Sequence, residues 1–230
     1  MSSRLIVANW KSNKTSVEVT EWLDEFDHLL KNQPSHTDVH VVIAPPFLFL
    51  PMVAGRIKKL PHCSLAVQDI SPFPAGSYTG AVSSYNLSSL SVSHAIVGHS
   101  ERRRYFHETH ADVAAKVAQA VEAGITPIVC VDEEYVALQA SAIAVEHLSK
   151  CVVAYEPLGA IGSGKNADVG TVKRVVTTIT RAFGDVKVIY GGSVDERNIG
   201  EYLLVTRGVL VGGASLAANQ FSALLEAAGS

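Results

Sequence analysis

Little in these 230 residues advertises a partner. Lysine and arginine number 19 against 22 aspartates and glutamates, so the formal charge of −3 leaves no basic surplus to attract nucleic acid. No apolar run approaches the roughly 20 residues needed to span a bilayer, so no membrane partner is expected. The run before Asn9-Trp10-Lys11 is too short in its apolar part for a signal peptide. Cysteine is scarce: Cys63, Cys130 and Cys151 are an odd number with no close pairing, set in or beside apolar stretches. Reduced, buried thiols and a cytoplasmic setting are expected. No Pro- or Ser-rich linker divides the chain, which predicts one domain over residues 1–230. What is abundant is core: 47% of the residues are hydrophobic and only 18% are charged, enough for a substantial packed interior.

The apolar residues fall into short runs rich in Val, Ile and Ala. They lie at Leu5 to Ala8, Val39 to Ala44, Ser64 to Val67, Ala95 to Val97, Pro127 to Val131, Val152 to Tyr155, Val186 to Tyr190 and Val209 to Val211. The runs do not alternate with polar residues, as befits strands buried on both faces, and their spacing fits a strand followed by a returning helix. Helical stripes fill the gaps. Val19, Trp22, Leu23, Phe26, Leu29 and Leu30 share one face behind a Thr15/Glu18 capping box. Asp168 similarly precedes Val172, Val175, Val176, Ile179 and Phe183, while Ala111 to Ala123, closed by Gly124, and Glu133 to Leu148 also read as helices. Eight such units predict a single closed (β/α)8 barrel, with an open doubly wound sheet as the competing arrangement. Pro72 to Gly76 fall in a longer loop after the third strand.

Barrel sites form where strands end. The first run ends in Asn9 and Lys11, the fourth in His99 and Glu101, the sixth in Glu156, the seventh in Gly191-Gly192-Ser193 and the eighth in Gly212-Gly213. Glu156 is followed by Gly159, Gly162 and Gly164, which suggests a base beneath a lid. A carboxylate can remove a proton from carbon beside a carbonyl, an imidazole can donate to the carbonyl oxygen, and a lysine can offset the charge that builds there. Glycines after the last two strands leave backbone amides free to face a phosphate. Each residue also has an ordinary reading: a surface lysine, a core histidine, an ion-paired strand-end acid. Coincidence in one mouth favours the chemical one.

Rival motifs fail on detail. Gly159-Ala-Ile-Gly-Ser-Gly-Lys165 has Asn166 where a nucleotide-binding P-loop needs Ser or Thr. Gly98-His-Ser-Glu-Arg102 lacks the second glycine of a nucleophile elbow, and Ser100 reads instead as a helix cap. His107-Glu-Thr-His110 misses the two-histidine metal spacing by one residue and reads as polar residues opening a helix. Cys130 reads as a packing thiol, and Trp10 and Trp22 as core or near-core.

The ordered motifs carry a resemblance. Asn9-Trp-Lys-Ser-Asn13, Tyr78-Thr-Gly80, Val97-Gly-His-Ser-Glu-Arg-Arg103, Ala154-Tyr-Glu-Pro157, Ala160-Ile-Gly-Ser-Gly-Lys165, Tyr190-Gly-Gly-Ser193 and Leu210-Val-Gly-Gly-Ala-Ser-Leu216 run from one end of the chain to the other. In these the sequence resembles the triosephosphate isomerase family. The resemblance implies a single (β/α)8 TIM barrel that interconverts glyceraldehyde 3-phosphate and dihydroxyacetone phosphate without metal or organic cofactor. It implies Glu156 as the proton shuttle, His99 as a neutral electrophile and Lys11 as the charge. Asn9 would bind substrate oxygens, while Gly162, Ser193, Gly212 and Gly213 would hold the phosphate. Glu101 would order the lysine, and Tyr190 with Ser193 would meet Ala160 and Gly162 when the lid shuts. A homodimer through the loop around Thr79 is implied, with monomer and tetramer as alternatives. Gly159 and Leu158 stand where the family usually has tryptophan and valine, and Ala81 where it has glutamate. The glycine predicts a looser hinge. Two other readings use the same residues: a related barrel isomerase acting on a larger sugar phosphate, and a phosphate-binding protein with weakened catalysis.

Overall fold

A computed structural model describes residues 3–32, 38–157 and 166–229. Eight parallel strands close into a barrel in chain order: β1 (Arg4–Asn9), β2 (Val39–Ala44), β3 (Cys63–Val67), β4 (Val92–Val97), β5 (Thr126–Val131), β6 (Val152–Tyr155), β7 (Lys187–Tyr190) and β8 (Gly208–Val211). The closing pair is β8 with β1, in a register that sets Leu5 opposite Gly208 and Ala8 opposite Val211. A Cβ at Gly208 would lie 1.9 Å from the Leu5 carbonyl oxygen. Only glycine lets the last strand approach the first there. The open doubly wound sheet is thereby excluded.

Alternation along each strand separates two apolar layers. Val7, Val42, Ala66, Ile96, Ile128, Ala154, Ile189 and Leu210 pack against one another inside the barrel. Their neighbours, among them Ile6, Ile43, Val97 and Val153, face the surrounding helices. The first helix, Ser16–Asn32, buries Val19, Trp22, Leu23 and Phe26. Its Trp22 packs edge-on against Trp10, with ring centroids 4.8 Å apart, and meets Phe221 of the last helix, Ala218–Gly229. The Trp22 indole N–H donates to the Ser215 carbonyl at 3.1 Å. The two ends of the chain are therefore packed together beside the β8–β1 seam.

The caps fall largely where the polar residues place them. The Thr15 backbone and hydroxyl both donate to Glu18, and Asp168 accepts the Thr171 N–H at 2.9 Å to open the helix Val169–Phe183. Thr109 and Asp112 form a reciprocal box at the start of His110–Glu122. One element differs from expectation. Glu133 to Leu148 is not one helix but two short ones, Val136–Ala142 and Val145–Leu148. Asp132 accepts the Tyr135 N–H and holds a turn before the first, and Ile143 is extended, with ψ 137°, and buried in the core. Burying that isoleucine wins over continuing the helix.

The strand alternation also positions the site. Leu5 and Val7 lead to Asn9, Val152 and Ala154 to Glu156, Ile189 to Gly191, and Leu210 to Gly212. Residues one step beyond the interior layer thus enter the mouth at the C-terminal ends of the strands.

Candidate active site

Lys11, His99 and Glu156 line one cavity of about 570 Å³ at that mouth, together with Asn9, Ser193, Gly212 and Gly213. Asn9 is buried, and its side-chain oxygen accepts the Lys11 backbone N–H at 3.0 Å. Lys11 takes the left-handed conformation, φ 51°. Gln68, just past β3, holds the turn by donating to the carbonyls of Lys11 and Ala44 at 3.0 and 2.9 Å. The Lys11 ammonium meets Glu101 Oε1 at 2.5 Å. Glu101 therefore anchors the lysine end of the cavity while the charge stays partly exposed.

His99 and Glu156 are nearly enclosed. His99 caps the short helix Ser100–Tyr105, and its Nδ1 accepts the Glu101 N–H at 3.2 Å. A lone pair at Nδ1 assigns the ring proton to Nε2, so the imidazole is neutral and presents a donor to the cavity. The cap is the histidine and not Ser100 as the sequence suggests. Ser100 instead supplies its backbone N–H to Glu156 Oε2 at 2.9 Å, and its hydroxyl is buried with no partner among the described residues. The other carboxylate oxygen, Glu156 Oε1, lies 3.1 Å from His99 Nε2 but outside hydrogen-bonding geometry, and it too is buried with no donor among the described residues. A buried carboxylate held by one backbone amide, with one oxygen uncommitted, is suited to moving and to taking a proton.

The glycines keep the opposite wall open. A Cβ at Gly191 would sit 2.9 Å from Glu156 Cγ, and one at Gly212 would sit 3.3 Å from Lys11 Cε. A Cβ at Gly192 would fall 2.2 Å from the Tyr190 hydroxyl oxygen. Tyr190 cannot readily yield: it stacks on Tyr202 with centroids 4.1 Å apart, and its hydroxyl accepts the Ala167 N–H at 3.2 Å. Burial pushes its phenol pKa up. Gly213 opens a 3-10 turn, Gly213–Ser215, pinned by the Ser215 N–H and hydroxyl on the Gly212 carbonyl at 2.9 and 2.6 Å. Backbone at Gly212 and Gly213 thus faces the cavity with no side chain between. Gly162, with Gly159, Ala160 and the rest of the expected lid glycines, lies outside the described residues.

Sequence reasoning passed over Gln68, and over Asn166, Arg197 and Asn198, which also line the cavity. Asn198 donates to the Ser193 carbonyl at 3.2 Å and accepts the Asp195 N–H at 3.0 Å, shaping the loop after β7. Gln68 could have been found as a strand-end residue. Arg197, ion-paired to Asp195 and largely exposed, carried no such signal. In the His107–His110 segment, Glu108 pairs with Arg102 and Lys116, and His110 lies against Arg103 and Gln139.

Against known proteins, the sequence pattern of the family described as triosephosphate isomerase matches residues 4–228. The triosephosphate isomerase of Mesomycoplasma hyorhinis is 40% identical, the alignment covering 98% of each chain. That of Thermus thermophilus is 38% identical with 98% of each covered, and that of Symbiobacterium thermophilum 36% with 99% of this chain and 98% of its own. A closed eight-stranded barrel, a carboxylate, imidazole and ammonium in one mouth, and similarity along essentially the whole length lead to one conclusion: the chain belongs to the triosephosphate isomerase family and is an isomerase of triose phosphates.

Proposed function

We propose that Glu156 takes a proton from the carbon beside the substrate carbonyl and returns it to the neighbouring carbon, through an enediolate. His99 donates from Nε2 to the carbonyl oxygen, and Lys11 offsets the negative charge that develops. Asn9 binds substrate oxygens, Glu101 orders Lys11, and Ser193, Gly212 and Gly213 hold the phosphate, joined by Gly162 from the segment outside the described residues. Tyr190 supports the phosphate wall. A glutamate base, a neutral histidine at a helix N-terminus and water exclusion by a closing loop are the established scheme for this family. The steps are proton transfers alone, so no metal or organic cofactor takes part.

The observation that carries this reading is the uncommitted Glu156 Oε1, buried 3.1 Å from His99 Nε2 in the cavity that Lys11 also enters. To reach substrate, Glu156 gives up the Ser100 amide, so the arrangement described is a resting one. The test is turnover of glyceraldehyde 3-phosphate by the purified protein beside its Glu156→Gln variant. A loss of about a hundredfold or more is expected, the scale of a missing general base. Wild-type turnover in the variant would remove Glu156 from the role.

The same reading extends to assembly and setting. The chain acts as one domain and as a homodimer through the loop around Thr79, where Phe73 and Tyr78 stack at 4.4 Å while remaining exposed. Specific activity that falls on dilution, in step with sedimentation as a smaller species, would support the dimer. Cys63, Cys130 and Cys151 are free thiols, in keeping with a reducing cytoplasm.

A further inference from the structure

Glu156 separates two cavities. In front lies the substrate cavity; behind lies a second of about 400 Å³, bounded with Glu156 by Ser100, Arg103, Arg104, Cys130 and Asp132. Among the described residues, three oxygens of this rear wall are buried and find no hydrogen-bond partner: Glu156 Oε1, Ser100 Oγ and Asp132 Oδ2. Oxygens buried in this way are ordinarily satisfied by internal water, and the space admits several molecules, each occupying about 30 Å³ in the liquid. Arg104 is exposed, so the rear cavity reaches the surface along its edge.

Chemistry asks something of this space. Once a triose phosphate fills the front cavity, the proton held by Glu156 has little water to meet on that side. We infer that the rear cavity holds a chain of water through which the Glu156 proton exchanges with solvent, Asp132 acting as its relay carboxylate and Ser100 as the bridging hydroxyl. The inference rests on Glu156 being the base. The Glu156 O–H bond breaks as a rear water accepts the proton, an equivalent proton passes to Asp132 or onward to solvent, and the reverse sequence restores one to Glu156. No electrons change hands.

Asp132 is suited to the relay. Its Oδ1 is occupied by the Tyr135 N–H at 2.9 Å, leaving Oδ2 for the chain. Burial raises its pKa above the usual aspartate value, making it a better temporary proton carrier at neutral pH. Cys130, fully buried, has its thiol pKa pushed well up by burial and by Glu156, so it stays protonated and does not compete as an acceptor.

The test is isomerisation of glyceraldehyde 3-phosphate in heavy water, reading by NMR the ratio of deuterium to transferred hydrogen at the carbon that gains the proton. That ratio compares two fates of one proton, so a change in turnover alone does not move it. A fall of roughly threefold or more is expected in Asp132→Asn, where exchange slows against direct return. Ser100→Ala, which keeps the backbone amide that Glu156 uses and removes a hydroxyl with no partner among the described residues, is expected to shift the ratio the same way. An unchanged ratio in both variants overturns the route. Undiminished turnover in Glu156→Gln would instead remove the base, and the relay with it, so the two failures are told apart.

Discussion

The two mouths of the barrel are made from the same eight strands and handle charge in opposite ways. At the C-terminal mouth three cations are paired with carboxylates: Lys11 with Glu101, Arg102 with Asp69 at 2.9 Å and with Glu108, and Lys116 with Asp69 at 2.6 Å and with Glu108. At the N-terminal mouth His40 of β2, His94 of β4 and Lys187 of β7 lie one step below the interior layer and face inward, with Ser64 between the histidines. His40 meets the Ser64 hydroxyl and His94 the Ser93 hydroxyl, each at 2.8 Å, and Lys187 donates to the Ser3 carbonyl at 3.4 Å. Among the described residues, the charges that act most on these three groups are those of His62, Lys187, Arg207 and the histidines themselves, although Asp38 and Asp185 precede β2 and β7. Burial and these neighbours lower all three pKa values, that of His94 to about 4. Where reaction needs charge the fold supplies counter-charge; where it does not, the histidines give up their protons.

The largest effect expected is structural. Gly208→Ala drives a methyl into the Leu5 backbone at the β8–β1 seam, and neither strand can move without opening the barrel. Loss of soluble folded protein is expected, checked by expression and circular dichroism; a folded, active variant would show that the seam tolerates a shift. Next comes Lys11→Met at the other mouth. Turnover should drop roughly a hundredfold to a thousandfold, as when one preorganised charge is removed from a reacting site, with the melting temperature little changed.

Acid should act chiefly on the N-terminal mouth. Folded His94 takes its proton only near pH 4, against 6.5 for the unperturbed group, so between these values the unfolded chain binds more protons. The contribution of His94 to stability is therefore complete above pH 6.5 and is lost as pH falls toward 4, by up to about 3 kcal/mol. Urea denaturation across this range checks it. His94→Asn should flatten the slope, and Lys187→Met should make it shallower, since the lysine charge helps hold both histidines neutral. An identical slope in His94→Asn would break the contrast between the mouths. Smallest is Gly192→Ala, which crowds the Tyr190 hydroxyl held on Tyr202. A stability loss of about 1–3 kcal/mol is expected, with a raised KM for triose phosphate, read by melting and steady-state kinetics.

Much of the barrel was legible because parallel strands buried on both faces must be apolar throughout. β4 shows the limit. Its lower half, Val92 to His94, was passed over because Ser93 and His94 interrupt the apolar pattern, and they do so because that end of the barrel interior is polar. The break at Ile143 was equally hidden, since a helical stripe and two short helices share the same apolar spacing. In the site, residues that end strands were readable from position and type. Gln68 also follows a strand, but the carbonyls it holds belong to Lys11 and Ala44 at the ends of other strands, while Asn198 shapes its own loop after β7, which strand periodicity does not mark.

By itself the sequence determined the number and order of the units, the caps at Thr15, Thr109 and Asp168, and which acid, imidazole and ammonium end a strand. These are local matters of periodicity, hydrogen-bonding groups and backbone freedom. Only the tertiary structure decided that His99 caps its own helix through Nδ1 and so leaves Nε2–H for the cavity, and that Glu156 stands between two cavities. It also decided that the histidines and lysine of distant strands come together at the far end, where the lysine charge lowers both histidine pKa values. Such facts depend on which side chains barrel closure brings together from positions far apart in the chain, and local pattern carries no record of those distances.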